Sequence, residues 1–173
     1  MAAGTDLLRG SSLTSGELRK QLRQVTGGVL GVPILIEEFV TTESGEYKLP
    51  TEYKCHVFGE KIGAIQVIQR SANARDTRQR IYTAGWKTFE DPMDTDFPLG
   101  EAIDPPKCLE EMLTYARKLG KAYGTYVRVD LYASRGGCVF GEFSSTPGRG
   151  TGLTRHAEEY FGALWQEAFP DRI

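Results

Sequence analysis

Cysteine and histidine are scarce in this 173-residue chain, and no stretch of it is continuously apolar for long. Cys55, Cys108 and Cys138 are an odd number with no close spacing, which suggests neither a disulfide framework nor a structural zinc site. They are expected to act as small buried hydrophobes. His56 and His156 have no obvious catalytic partner in the sequence and are read as structural. No apolar run approaches the ~20 residues of a membrane-spanning helix. Met1 to Gly16 lacks the charged-then-apolar order of a secretory leader, so a reducing cytoplasmic compartment is expected. A basic excess is missing too. Lys and Arg total 21 against 23 Asp and Glu, a net charge of −2, which argues against a nucleic-acid module. Local basic residues remain available for a small anionic ligand. Internal repeats and low-complexity tracts are also lacking.

What is present reads as one domain of ordinary composition, 40% hydrophobic and 25% charged. A flexible N-terminus is expected over residues 1–13, followed by a folded region over 14–173. Thr14 and Glu17 have capping-box spacing, and Leu18, Leu22 and Val25 follow at helical intervals before Gly27-Gly28, predicting a helix over 15–26. Pro33 to Val40 is short, branched and apolar and reads as a strand. Tyr53 to Phe58 and Lys61 to Gln69 flank Gly59-Glu60, a two-residue hairpin turn. Arg70 to Asp104 is irregular. It carries Arg70, Arg75, Arg78, Arg80, Trp86, Pro92 and Pro98, with a strand near 80–83. A helix follows over 107–123, striped by Leu109, Met112, Leu113, Ala116 and Leu119 and ended by Gly124. Thr125 to Tyr132 alternates, with Val127, Val129 and Leu131 on one face and Arg128 and Asp130 on the other. Cys138 to Ser144 returns, and 155–168 forms a last helix. Hairpins outnumber crossovers, so the class is α+β with an antiparallel sheet and packed helices.

The hairpin over 125–144 carries the chemistry. A three-residue turn at Arg135 to Gly137 makes Ser134 face Cys138 and Asp130 face Glu142. Two carboxylates that close repel unless a cation lies between them, and magnesium favours such oxygen ligands together with substrate phosphates. Ser144, Ser145 and Thr146 add hydroxyls. From spacing alone a solvated hairpin face stays open as the alternative, because a four-residue turn would remove the pairing. His or Cys nucleophiles are not needed for such chemistry. The glycine-rich Gly148 to Gly152 lacks the ending of a P-loop and reads as a flexible loop in which Arg149 can reach an anion.

Four features together resemble the TupA-like ATP-grasp family. They are Tyr53-Lys54, the helix with Leu109-Glu-Glu-Met-Leu113, the Arg-Val-Asp-Leu-Tyr run of 128–132, and Gly-Glu-Phe-Ser-Ser-Thr-Pro-Gly of 141–148. The resemblance spans roughly 33–169 and implies an ATP-grasp-like fold binding ATP and Mg2+. It further implies a ligase that activates a carboxylate as an acylphosphate, acting on a small-molecule or peptide/polysaccharide acceptor in cell-envelope biosynthesis. By that resemblance Asp130 and Glu142 are the metal carboxylates. Ser144 stands where many ATP-grasp proteins place an asparagine ligand. Glu37, Glu38 and Phe39 form the hinge strand that meets adenine; the two glutamates point to opposite faces, and Glu38 is favoured as the lining one. Lys54 and Arg128 contact the nucleotide, and Lys54, Arg70 and Arg80 serve catalysis. The resemblance also implies an N-terminal region with a phosphate-binding strand lysine and a substrate domain, which is not visible upstream of Thr14. The chain is therefore expected to be a short form, a fragment, or a partner of a separate N-terminal subunit. Two further readings stand beside the ligase: a non-catalytic nucleotide- or partner-binding domain, truncated or degenerate, and a plain α+β interaction module.

Overall fold

Thr14 opens the first helix by reciprocal capping. Its side chain accepts the Glu17 amide, and the Glu17 carboxylate accepts the Thr14 amide at 2.7 Å. The computed structural model describes residues 3–6, 11–28, 32–33, 35–70, 76–89, 93 and 97–172. Two short strands, β1 (Ala3–Asp6) and β2 (Ser11–Thr14), pair antiparallel ahead of α1 (Ser15–Val25). The short β1–β2 ladder lies in the segment read as flexible. The stripe on α1 stays open to solvent, with Leu18 and Val25 exposed.

The main sheet has five strands: β3 (Glu52–Phe58), β4 (Lys61–Gln69), β5 (Arg78–Tyr82), β6 (Tyr126–Ser134) and β7 (Gly137–Ser144). Their spatial order is β5-β4-β3-β6-β7, and every neighbouring pair is antiparallel. Helix α2 (Leu109–Tyr123) joins the β5 side to β6, and α3 (Arg155–Ala168) follows β7. The fold is α+β, a hairpin-built antiparallel sheet with helices packed on it, as the alternation implied.

Period-2 alternation gives the sheet two different faces. On one, Tyr53, Cys55, Val57, Ile65, Val67, Val127, Val129 and Leu131 meet Met112, Leu113 and Ala116 of α2 in a buried cluster. The other face is polar in the middle and apolar at one end. At that end Phe58 and Ala64 pack under Ala157, Phe161 and Leu164 of α3. Helix α3 thus covers part of the polar face, and the Tyr160 hydroxyl donates to the Gly63 carbonyl at 2.9 Å. Cys55 is fully buried, while Cys108 and Cys138 are partly buried, and all three are free thiols.

One strand expected from the sequence does not form. Residues 33 and 35–40 are irregular, and Leu35 and Ile36 are 81% and 89% exposed. A strand gains its hydrogen bonds only from a partner. Strand β3 is already flanked on both sides, and β5 is bridged by Thr88 and Leu99. The apolar run has the composition of a strand, but its described residues pair with none of the five strands, the open edge of β7 included. Arg75 and Pro92 lie outside the described residues.

Helix α2 lies so close to β3 that a side chain at Gly120 has no room. A Cβ there would meet Val57 Cγ1 at 2.4 Å and the Gly59 carbonyl at 2.5 Å. In an isolated helix Gly→Ala is favourable by about 1 kcal/mol. Here the clash reverses the sign, and Gly120→Ala is expected to destabilise by about 1–3 kcal/mol, read as a lower urea midpoint.

Candidate functional site

Alternation along β3 and β6 sends Lys54, His56, Tyr126, Arg128 and Asp130 to the same face. The register sets Lys54 opposite Asp130 and His56 opposite Arg128. Asp130 lies deep in this face, with its side chain only 4% exposed. Three charge-assisted bonds hold it. Lys54 Nζ donates to Oδ2 at 2.8 Å, Arg128 Nε to Oδ1 at 2.6 Å, and Arg128 Nη2 to Oδ2 at 2.7 Å. Lys54 also pairs with Glu52 at 3.0 Å, and Arg70 Nε donates to Glu52 at 2.7 Å. The result is an alternating row of charge: Arg70, Glu52, Lys54, Asp130, Arg128. Burial pushes the Glu52 carboxyl up, but the bonds and charges of Arg70 and Lys54 outweigh it and leave it below the ordinary carboxylate range.

Asp130 does face Glu142, by a different route from the one the sequence suggested. The turn has two residues, not three, so Ser134 faces Gly137 and Cys138 faces Ala133. That alone would put Asp130 opposite Gly141. A β-bulge between Asp130 and Leu131 leaves Gly141 unmatched and restores the pairing of Asp130 with Glu142 and of Arg128 with Ser144. Glycine suits the bulge, because a Cβ at 141 would meet the Tyr132 ring at 2.8 Å and the Asp130 carbonyl at 3.0 Å. The two carboxylates are unequal. Glu142 is on the edge strand and 67% exposed, and Arg128 Nη2 stands 3.8 Å from it while donating to the Ser144 hydroxyl at 3.1 Å.

The remaining residues implied by the resemblance divide. Arg70 shares the Asp130 face and lines the cavity beside it. Arg80 does not join them. It pairs with Val67, whose side chain belongs to the α2 core, and its Nε donates to the Gly100 carbonyl at 2.9 Å. The β4–β5 register turns Arg80 to the opposite face. Glu37 and Glu38 are exposed and outside any strand, and Phe39 stacks on Tyr47 with ring centroids 6.0 Å apart. A hinge strand against the sheet is therefore not formed at 37–39.

Beside the charged row, α3 and the 145–153 loop close a cavity of about 440 Å³ over the sheet. Lys54, Arg70 and Arg128 line one side, and Phe58, Ile68, Phe161 and Trp165 line another. His56 forms part of the floor. Its Nδ1 shares a 2.9 Å hydrogen bond with the Tyr126 hydroxyl, its ring stacks on Phe161 at 5.0 Å, and Gln66 bonds to it from β4. Burial, then the Arg128 charge, lowers its pKa to about 4, so it is neutral at pH 7. His56, read from the sequence as structural, and Tyr126 both join the site. The signal was their two-residue spacing from Lys54 and Arg128, which places all four on one face.

The chain is thus an antiparallel α+β domain with Asp130 and Glu142 paired on its last hairpin and a basic row beside them. The TupA-like ATPgrasp family profile matches residues 29–166, and the chain belongs to that family. Searches of curated proteins and of solved structures found no match. Among the described residues no helix is long and apolar enough to cross a membrane, and no cluster of three or more His, Cys, Asp or Glu is placed to hold a metal.

A buried neutral His56 makes stability depend on pH. Between about pH 6.5 and its folded value near 4, the unfolded chain binds a proton that the folded chain refuses. Stability therefore rises with pH across this window, by up to about 1.4 kcal/mol per unit. The Glu52 carboxyl acts with the same sign in a lower window. Its stabilisation is present above the unfolded carboxylate value, about 4.3, and is lost as the pH falls through its lower folded value. Urea unfolding from pH 4 to 7 should show the slope in the wild type and a flatter profile in His56→Gln.

Proposed function

We propose that this domain binds ATP with Mg2+ and serves a ligase that activates a carboxylate as an acylphosphate, with a small-molecule or peptide/polysaccharide acceptor in cell-envelope biosynthesis. The observation that carries the reading is the bulge-restored register that sets Asp130 against Glu142 on the basic face, in a chain of the TupA-like ATP-grasp family. The donor set fits magnesium: two carboxylates and the Ser144 hydroxyl, all hard oxygens, on neighbouring positions of one hairpin face. Asp130 and Glu142 would hold the ion, with Ser144 as a further oxygen. The ion would supply charge neutralisation for the phosphoryl group in transfer.

The side chains present have distinct tasks on this reading. Lys54 and Arg128 hold the Asp130 carboxylate in place through three short bonds. The same two cations are placed to meet phosphate oxygens, lysine as a point charge and arginine through its planar fork. Arg70 is held at the cavity wall by Glu52. Neutral His56 and Tyr126 form a polar floor without adding charge.

A second reading, nucleotide or partner binding without turnover, draws support from the irregular course of residues 35–40, where the resemblance implied a hinge strand. Hydrolysis of ATP in the presence of an acceptor separates the two. The first test is calorimetric titration of ATP with and without magnesium on the wild type and on Glu142→Ala. Glu142 is the right residue to remove, because it is largely exposed and its loss strands no buried cation. Magnesium-dependent binding weakened at least tenfold in the variant is expected. A folded wild type that ignores Mg·ATP would sink the proposal.

A further inference from the structure

The polar-face residues of β6 run Tyr126, Arg128, Asp130, Tyr132 along the strand, and the cavity under α3 is lined by the first two only. It therefore opens beside the carboxylate pair and not upon it. Its walls are divided. One side carries Lys54, Arg70 and Arg128, the apolar walls are Phe58, Ile68, Phe97, Leu153, Phe161 and Trp165, and Gln66, Ser145, Thr146 and Thr151 add polar groups at the edge between them. A volume of about 440 Å³ lies within the roughly 300–1,000 Å³ of small-molecule sites.

We infer that this cavity takes the substrate to be activated, and that this substrate is a small carboxylate with an apolar, ring-sized body. The inference rests on the ATP-grasp reading above and adds the chemistry of the second ligand. The cationic side provides charge-assisted donors for a carboxylate. It also holds that carboxylate next to Asp130 and Glu142, where a phosphoryl group would arrive. The opposite walls offer aromatic and branched surface, with Phe161 already stacked on His56 and tilted against Phe58, which suits a flat apolar ring. A second acid group lodged against those apolar walls would lose its hydration without a cation there to replace it. That argues against a dicarboxylate as the body that fills the cavity.

Gly162 supplies a clean block. It lies on α3 at the cavity wall, and a Cβ built there meets no atom within 4 Å. A side chain at 162 therefore starts from open space at the cavity wall. The experiment titrates 3-phenylpropionate, 3-phenylpropanamide and glutarate into the full chain, with and without Mg·ATP, and repeats each on Gly162→Ala and Gly162→Phe. The phenyl acid is expected to bind, with the amide and glutarate each at least tenfold weaker. Gly162→Ala should retain that binding and Gly162→Phe should weaken it at least tenfold. Affinity for Mg·ATP should be the same in all three proteins. Glutarate binding as tightly as the phenyl acid overturns the inference. So does phenyl-acid binding that Gly162→Phe leaves untouched, or no phenyl-acid binding in either condition. Loss of Mg·ATP affinity in the wild type indicts the nucleotide reading instead, because the phenyl-acid titration without nucleotide is scored separately.

Discussion

A carboxylate buried in the middle of a sheet face is the constraint on which the rest of this molecule turns. An ionised group at the depth of Asp130 is tolerated only when paired and hydrogen-bonded, and it is held by Lys54 across the ladder and by Arg128 two residues away on its own strand. Each cation then needs its own surroundings. Lys54 draws Glu52, Glu52 draws Arg70, and Arg128 draws Ser144. One charge near the centre thus dictates a polar row across β3, β6 and β7. A helix laid fully over that row would desolvate five charged groups. Helix α2 therefore takes the apolar face, and α3 is confined to the end where Phe58 and Ala64 offer it something to bury.

The cavity follows from the same partition. Helix α3 is anchored by Phe161 and Leu164 at the apolar end, and the chain leading to it from β7 must cross the polar row. Between the helix, the loop and the row a space is left that neither apolar packing nor ion pairing fills. Its mixed lining is the boundary between two regimes of one sheet face. His56 sits on that boundary, neutral because burial and Arg128 both oppose its proton, and so it can stack on Phe161 while bonding Tyr126.

Local signals were enough for much of this. Thr14 and Glu17 cap α1 because both partners lie within one turn, and the α2 stripe packs as drawn because five apolar residues share one helical face. The split of Val127, Val129 and Leu131 from Arg128 and Asp130 is likewise a period-2 fact. The pairing of Asp130 with Glu142 was legible for an incomplete reason. The turn is one residue shorter than its glycines suggested, and the bulge at Gly141 adds that residue back. Where an outcome depended on distant chain, the sequence was silent or misleading. Pro33 to Val40 has strand composition and no partner. Arg80 has a phosphate-binding residue type and the wrong phase. His56 and Tyr126 look unremarkable until Phe161, more than 30 residues further along, closes over them.

The inequality of the two carboxylates bears on how a ligand would enter. Asp130 is fixed by three bonds to cations, whereas Glu142, on an edge strand, stays in water with Arg128 nearby. On the proposed reading, a divalent ion settling between them must compete with Arg128 for Asp130. The exchange is balanced in kind, since the carboxylate trades one cation for another and the guanidinium turns toward incoming phosphate. An arginine with planar, well-directed donors suits that exchange better than a lysine would. The bulge matters here as well. It brings Glu142 opposite Asp130, and the edge strand leaves it solvated enough to move toward an ion. On the proposed reading, such a site keeps its buried carboxylate paired before a nucleotide arrives and gives up a cation to it afterwards.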